Sequence, residues 1–222
     1  MYFINRKDAG QKLASILTSH WDKSDSIILA LPRGGVPVAY EIAKALRLPM
    51  DLMLVRKLGV PRDEEIAMGA IAYDSPPVYN AEIIKALSIP HSLLADTVSK
   101  ERKEIHRRNK LYRHNAPPPD LTGRNVILID DGCATGANMH AAILAAKSLG
   151  AKQVIAAVPV TSYSAYTNLH RDADKIISLE VPEPFTGVSA YYADFTQVTD
   201  KEVVELLNAL SRENIYAQPE RA

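Results

Sequence analysis

The sequence predicts an α/β fold built on a parallel sheet flanked by helices. Three observations predict it. Short runs dominated by apolar residues recur at 26–31, 52–55, 126–129, 151–159 and 175–179, as strands covered on both faces require. Helix-forming stretches lie between them, and such alternation implies parallel pairing through right-handed crossovers. The chain is also 47% hydrophobic but only 6% aromatic, so small aliphatic side chains carry its apolar content.

Taken in order, residues 8–21 place Ala9, Leu13, Ile16 and Leu17 at helical spacing, with Asp8 as the expected N-cap. The run 26–31 leads into Pro32-Arg33-Gly34-Gly35-Val36-Pro37, and a helix is expected over 38–46. Gly34 and Gly35 permit backbone conformations closed to other residues, and Arg33 can grip two phosphate oxygens at once. The strand at 52–55 is followed by Arg56 and Lys57. Two cations where a strand opens into a ligand crevice suit an anionic substrate; as ordinary exposed residues they mark a surface loop.

Residues 69–73 and 78–79 read as short strands around the turn Asp74-Ser75-Pro76-Pro77. From Leu94 to Tyr112 the chain is polar, with Leu94, Val98, Ile105 and Tyr112 as a sparse helical stripe. Glu104 and Arg108 are ordered for a helical ion pair of about 0.3–0.5 kcal/mol. The basic set Arg102, Lys103, Arg107, Arg108, Lys110 and Arg113 is interspersed with acids, which reads as a solvated helix rather than a nucleic-acid surface. Pro117-Pro118-Pro119 forms a stiff connector.

The organising stretch is 125–139. Val126 to Ile129 form an unbroken apolar run, Asp130 and Asp131 close it, and Gly132, Cys133, Ala134, Thr135, Gly136, Ala137 and Asn138 follow before a helical pattern begins. At the carboxyl end of a parallel strand the chain opens into the crevice where α/β sheets bind ligands. Small residues let backbone N–H groups approach a phosphate, and the next helix adds its positive end. Thr135 and Asn138 offer side-chain hydrogen bonds. Asp130 and Asp131 repel a phosphate and suit the hydroxyls of a sugar instead. Phosphate loop and acidic pair together amount to a ribose 5-phosphate site.

Ile129-Asp130-Asp131-Gly132-Cys133-Ala134-Thr135-Gly136 resembles the phosphoribosyl-pyrophosphate (PRPP) signature of the type I phosphoribosyltransferases. Pro32-Arg33-Gly34-Gly35 resembles the loop that holds pyrophosphate in that family, and several members place a basic residue near Arg56 and Lys57. The resemblance implies one domain over 1–222: a core at about 25–180, an insertion at about 59–119 that closes over the site, and a C-terminal hood element at about 181–222. It implies a phosphoribosyltransferase that moves ribose 5-phosphate from PRPP to a nucleobase or other small-molecule acceptor, with magnesium bridging pyrophosphate and ribose. Asp130, Asp131 and Arg33 take the catalytic roles by this resemblance. Gly34, Gly35, Arg56, Lys57 and the loop 132–138 bind substrate, and Asp130 and Asp131 meet the metal indirectly, through ribose hydroxyls or water.

Two departures from the family pattern matter. Asn138 stands where a hydroxyl residue is common. Ala134 stands where the hypoxanthine-guanine branch carries an acid, which argues against that branch and leaves the acceptor open. Phe185, Tyr191, Tyr192 and Phe195 suit either stacking on a planar base or packing a small hydrophobic cover. Dimerisation is common in the family, though no residue here demonstrates it.

Composition bounds the alternatives. Formal net charge is zero, so no global basic field points to nucleic acid. No apolar run approaches the ~20 residues of a membrane helix, and the amino terminus is too polar for a secretory signal; a cytoplasmic protein is expected. One cysteine excludes an internal disulfide and a cysteine-based zinc cluster. A hydrolase built on His140, His170 or Cys133 lacks a Gly-x-Ser-x-Gly elbow. A catalytically silent regulator of the same fold, binding nucleotides or RNA, is the other reading.

Overall fold

A computed structural model describes residues 2–18, 25–60, 63–73 and 75–212. The end of the first expected helix at Trp21, the turn residue Asp74 and the last residues of the expected hood lie outside them.

Five parallel strands form the main sheet: β1 (Ser26–Ala30), β2 (Met50–Leu52), β6 (Asn125–Ile129), β7 (Gln153–Val160) and β8 (Lys175–Glu180), in the order β2-β1-β6-β7-β8. Successive side chains of a strand face opposite sides of its sheet, and here both sides are covered. Ile28, Ala30, Ile127, Ile129, Ile155 and Ala157 join the core cluster beneath α1 (Arg6–Thr18) and α2 (Gly35–Leu46). Ile27, Leu29, Val126, Leu128, Val154 and Ala156 join the cluster beneath α5 (Ala137–Ser148). Burial on both faces is why the strands read as apolar runs rather than alternating ones.

The order of strands fixes where a ligand can enter. From β1 the chain builds outward to β2, and from β6 it builds the other way, through β7 to β8. The direction therefore reverses between β1 and β6, which pair in register from Ser26↔Asn125 to Ala30↔Ile129. Such a reversal leaves a crevice at the carboxyl ends of the strands. Here those ends carry Pro32–Gly35 and Asp130–Gly136.

Residues 55–79 contribute a second, antiparallel sheet, which begins ahead of the insertion expected from about 59: β3 (Val55–Val60), β4 (Asp63–Ala72) and β5 (Val78–Tyr79). The insertion continues through α3 (Ala81–Ala86) and the long α4 (His91–Arg113). The expected strand at 52–55 is corrected: β2 ends at Leu52, and Arg56 and Lys57 belong to β3, opposite Ile71 and Ala70. The apolar run 52–55 spans the end of one strand and the start of the next, a boundary that periodicity alone does not mark. Residues 69–73 and 78–79 do pair, through Gly69↔Tyr79 and Ala70↔Val78.

At the first helix the expected cap is also corrected. Asn5 Oδ1 accepts from the Asp8 backbone N–H at 3.0 Å, so Asn5 takes the capping position. Asp8 lies inside the first turn, accepts from Ile4 N–H, and pairs with Lys12. The remaining helices are α6 (Tyr163–Leu169) and α7 (Asp200–Arg212). A short 3-10 turn over Val188–Tyr191 sits between β8 and α7. No helix among the described residues is long and apolar enough to cross a membrane.

Candidate active site

Two loops converge at the reversal point. The Pro32–Gly35 segment follows β1 and the acidic pair follows β6, so register places them side by side. They meet closely: a Cβ added at Gly34 would lie 2.0 Å from Asp131 Oδ2. Only a residue without a side chain lets the first loop pass over that carboxylate. The Pro32–Arg33 peptide bond is cis.

The acidic pair is unequal. Asp131 Oδ2 accepts from Arg6 Nε at 2.7 Å in a largely buried ion pair. The Asp131 backbone carbonyl accepts from the Tyr192 hydroxyl at 2.6 Å. Asp130 accepts the Asp131 backbone N–H at 2.9 Å, and no cation among the described residues forms an ion pair with it. Burial pushes both carboxyls above the usual carboxylate range, most strongly at Asp130, where the neighbouring Asp131 charge adds to the effect. At Asp131 the Arg6 guanidinium works against burial.

The loop after Asp131 divides between fold and crevice. Cys133 turns inward: its N–H donates to Val160 O, its carbonyl accepts from Ser162 N–H, and burial pushes its thiol up to about 12. It packs as a small apolar residue. Ala134 and Thr135 are exposed. Thr135 Oγ1 accepts from Ala137 N–H at 3.4 Å. Gly136 adopts φ +81°, which a residue with a side chain rarely does, and its turn starts α5. Asn138 is exposed in the first turn of that helix.

Arg56 and Lys57 sit with Asn138 on a separate wall. Together with Thr97, Lys100 and Glu101 they line a cavity of about 310 Å³ between β3, α4 and the start of α5. Arg56 Nε lies 2.6 Å from the buried Glu101 carboxylate, which fixes the guanidinium against α4. Arg33 is not among the residues of that cavity and lies 3.6 Å from Asp200 at the start of α7. Tyr112 donates its hydroxyl to the same Asp200 oxygen at 2.6 Å.

Of the aromatic residues after β8, Tyr191 and Tyr192 are buried against Phe3, Ala9 and Val160, with Phe185 and Phe195 half-buried on that cluster. They pack a cover that braces the acidic loop from above. Sequence reasoning missed Arg6, and it gave Tyr192 to stacking or packing without its hydroxyl's contact with Asp131. They reach Asp131 from 125 and 61 residues away, and no local pattern announces such contacts.

Expected residues thus fall into two groups: Arg33, Gly34, Gly35, Asp130 and Asp131 belong to the two converging loops, and Arg56, Lys57 and Asn138 line the cavity beside α4. His140 and His170 stand outside both. His140 Nε2 pairs with Asp172 at 2.8 Å, and His170 packs edge-on to Tyr166. Among the described residues no group of three or more His, Cys, Asp or Glu is arranged to hold a metal ion by itself.

Comparison with known proteins bears on this geometry. The family model described as phosphoribosyl transferase domain matches residues 4–196. Two curated Mycobacterium tuberculosis proteins, from strains CDC 1551 and H37Rv, carry provisional phosphoribosyl transferase names. Each is 38% identical over 211 residues, covering 95% of this chain and 47% of the relative. The chain therefore spans about half the length of the curated relatives it matches. The crystal structure of TT1426 from Thermus thermophilus is 36% identical, with a TM-score of 0.87, over 95% of this chain and 99% of that one.

Proposed function

The chain belongs to the phosphoribosyl transferase domain family, and on that premise we propose that it moves ribose 5-phosphate from PRPP to a small-molecule acceptor, releasing pyrophosphate. The observation that carries this reading is the convergence of the Pro32–Gly35 loop on the acidic pair at the reversal point of the sheet. Pyrophosphate and ribose are adjacent groups on PRPP, and the two loops are adjacent in the crevice.

In this reaction positive charge develops at the anomeric carbon as the bond to pyrophosphate weakens. The protein needs grip on the departing anion and a negative environment around the sugar more than it needs a covalent nucleophile. Arg33 and the Gly34–Gly35 backbone serve the pyrophosphate. Asp130 and Asp131 face the ribose and favour the cationic sugar. The exposed turn Ala134–Ala137 and the positive end of α5 hold the 5-phosphate, with Thr135 and Asn138 as side-chain donors.

Magnesium suits this donor set. It prefers oxygen ligands, keeps several waters and needs only one or two carboxylates beside substrate oxygens; Asp130 is a carboxylate with no competing ion pair among the described residues. When bound, the ion would be held by Asp130 and Asp131 through water or ribose hydroxyls and would offset the charge of pyrophosphate.

Calorimetric titration with PRPP, with and without magnesium, tests the reading. Magnesium-dependent binding followed by acceptor-dependent pyrophosphate release is the expected result. Folded protein that binds no PRPP would overturn it and favour a silent regulator.

A further inference from the structure

The geometry points to a second ligand site on the open face of α4, outside the reaction crevice: a groove that takes a mononucleotide, its base against Tyr79 and its phosphate against Arg102 and Lys103. This inference goes beyond the proposed function and does not depend on it.

Two stripes adjoin on α4. Leu94, Glu101, Ile105 and Tyr112 are buried against the rest of the protein. Beside them Ala95, Val98, Arg102 and His106 recur at spacings of three and four residues, which aligns them along the helix. With Tyr79 of β5, Ser99 and Lys103 they line a cavity of about 470 Å³, within the usual range for a small-molecule site. It shares no residue with the cavity of Arg56, Lys57 and Asn138, and none with the loops 32–35 and 130–138.

The groove has an apolar end and a cationic end. Ala95 and Val98 lie at one end with the Tyr79 ring, which is 43% exposed and free to act as a stacking platform. Tyr79 and Ala95 also line a neighbouring hollow with Ile84 and Leu94, so apolar surface continues past the ring. Arg102, Lys103 and His106 form the other end, and no carboxylate stands among the described lining residues. From Val98 to Lys103 the helix rises about 7.5 Å, a span that a base and a phosphate bridge through a sugar.

Arg102 supplies a second, separate observation. Its Nη2 donates to Ser75 O at 3.1 Å, which ties the guanidinium to the turn between β4 and β5. Its Nε is shielded from solvent and has no hydrogen-bond partner among the described residues. A buried donor left unpaired is costly. A phosphate set against this guanidinium supplies the counter-charge that the fold does not. His106 is held at the same end by Tyr73, with ring centres 5.0 Å apart.

Titration with adenosine monophosphate (AMP), in protein saturated with ribose 5-phosphate, tests the assignment. AMP is expected to bind, and adenosine and inorganic phosphate to bind at least about tenfold more weakly, since each lacks half of the contact. Tyr79→Ala should weaken AMP by about tenfold, the scale of one stacked base, whereas Tyr79→Phe should stay within about twofold. Arg102→Gln should cost about tenfold or more, the scale of one hydrogen bond to a charged group. Lys103→Gln, an exposed change with little bearing on the fold, should cost about threefold.

Absence of AMP binding overturns the inference. Binding that ribose 5-phosphate displaces also overturns it, by placing AMP in the reaction crevice, and so does binding that Tyr79→Ala and Lys103→Gln leave intact. Equal affinity for inorganic phosphate overturns it by reducing the groove to a basic patch. A single-stranded oligonucleotide whose affinity grows with length through the same residues overturns the choice of ligand in favour of nucleic acid. Groove binding of AMP by protein that binds no PRPP upholds this inference and overturns the proposed function alone.

Discussion

The carboxylate of Asp131 lies directly beneath the backbone of Gly34, with 2.0 Å between Oδ2 and the place where a Cβ would stand. That single approach joins the loops of two neighbouring strands. It turns what looks in sequence like two independent turns into one surface.

Gly34→Ala should therefore break the junction. The added methyl group can be housed only by shifting Asp131 or the loop. A cost of about 1–3 kcal/mol is expected, as for other overpacked sites, with loss of PRPP binding. Urea unfolding and calorimetry check the two effects, and wild-type values for both would refute the close approach.

Arg33→Ala should impair pyrophosphate-bearing ligands far more than ribose 5-phosphate, by about tenfold or more if the guanidinium makes a charge-assisted contact. Arg33 is half-exposed and lies near Asp200, so the variant should fold normally. Equal losses for PRPP and ribose 5-phosphate would remove Arg33 from the pyrophosphate.

Asp130→Asn should stabilise the ligand-free protein at neutral pH. The folded-state carboxyl is pushed above its ordinary range by burial and by Asp131. Its contribution to stability is therefore complete below the ordinary carboxylate range and is lost as pH rises through the raised value. Asparagine does not ionise, so the gain over wild type should be largest near pH 7.5 and shrink toward pH 4. Denaturant unfolding at both values decides it; a gain larger at pH 4 would reverse the sign.

Cys133 should resist alkylation. Its thiol is buried and pushed up to about 12, so almost no thiolate exists at pH 8. Iodoacetamide should label native protein far more slowly than protein unfolded in urea. Labelling at the rate of a free thiol would contradict the inward placement.

Ile127→Ala should cost about 2–5 kcal/mol, the usual range for emptying a packed core position. Ile127 is fully buried in β6, between Ile28 of β1 and Ile155 of β7. Chemical denaturation would measure it.

Much of the core was legible because each local signal and the tertiary structure agree. The run 126–129 is apolar since both faces of β6 are covered, and the small residues after Asp131 mark the turn into α5. Failures occur where one signal straddles two elements or where a partner is remote. The run 52–55 hid the break between β2 and β3, which sends Arg56 and Lys57 to another sheet. Asp8 looked like a cap because it directly precedes Ala9, the first of the helically spaced apolar positions, whereas the helix starts earlier, just after Asn5. Arg6 was invisible: an arginine in the first helix looks solvated until Thr196 and Phe195 are folded over it.

The bracing of Asp131 also sets a timetable for biosynthesis. A ribosome-bound chain that has released β1 through β6 holds the signature and the Gly34 loop, yet the groups that lock them, Tyr192 and Thr196, have still to be translated. Contacts spanning 61 and 190 residues carry the loop-closure cost that slows folding. The bracing contacts of the crevice therefore cannot close until residues 192–196 have left the ribosome. Until then Asp131 and Arg6 stand without the late-translated partners that fasten them.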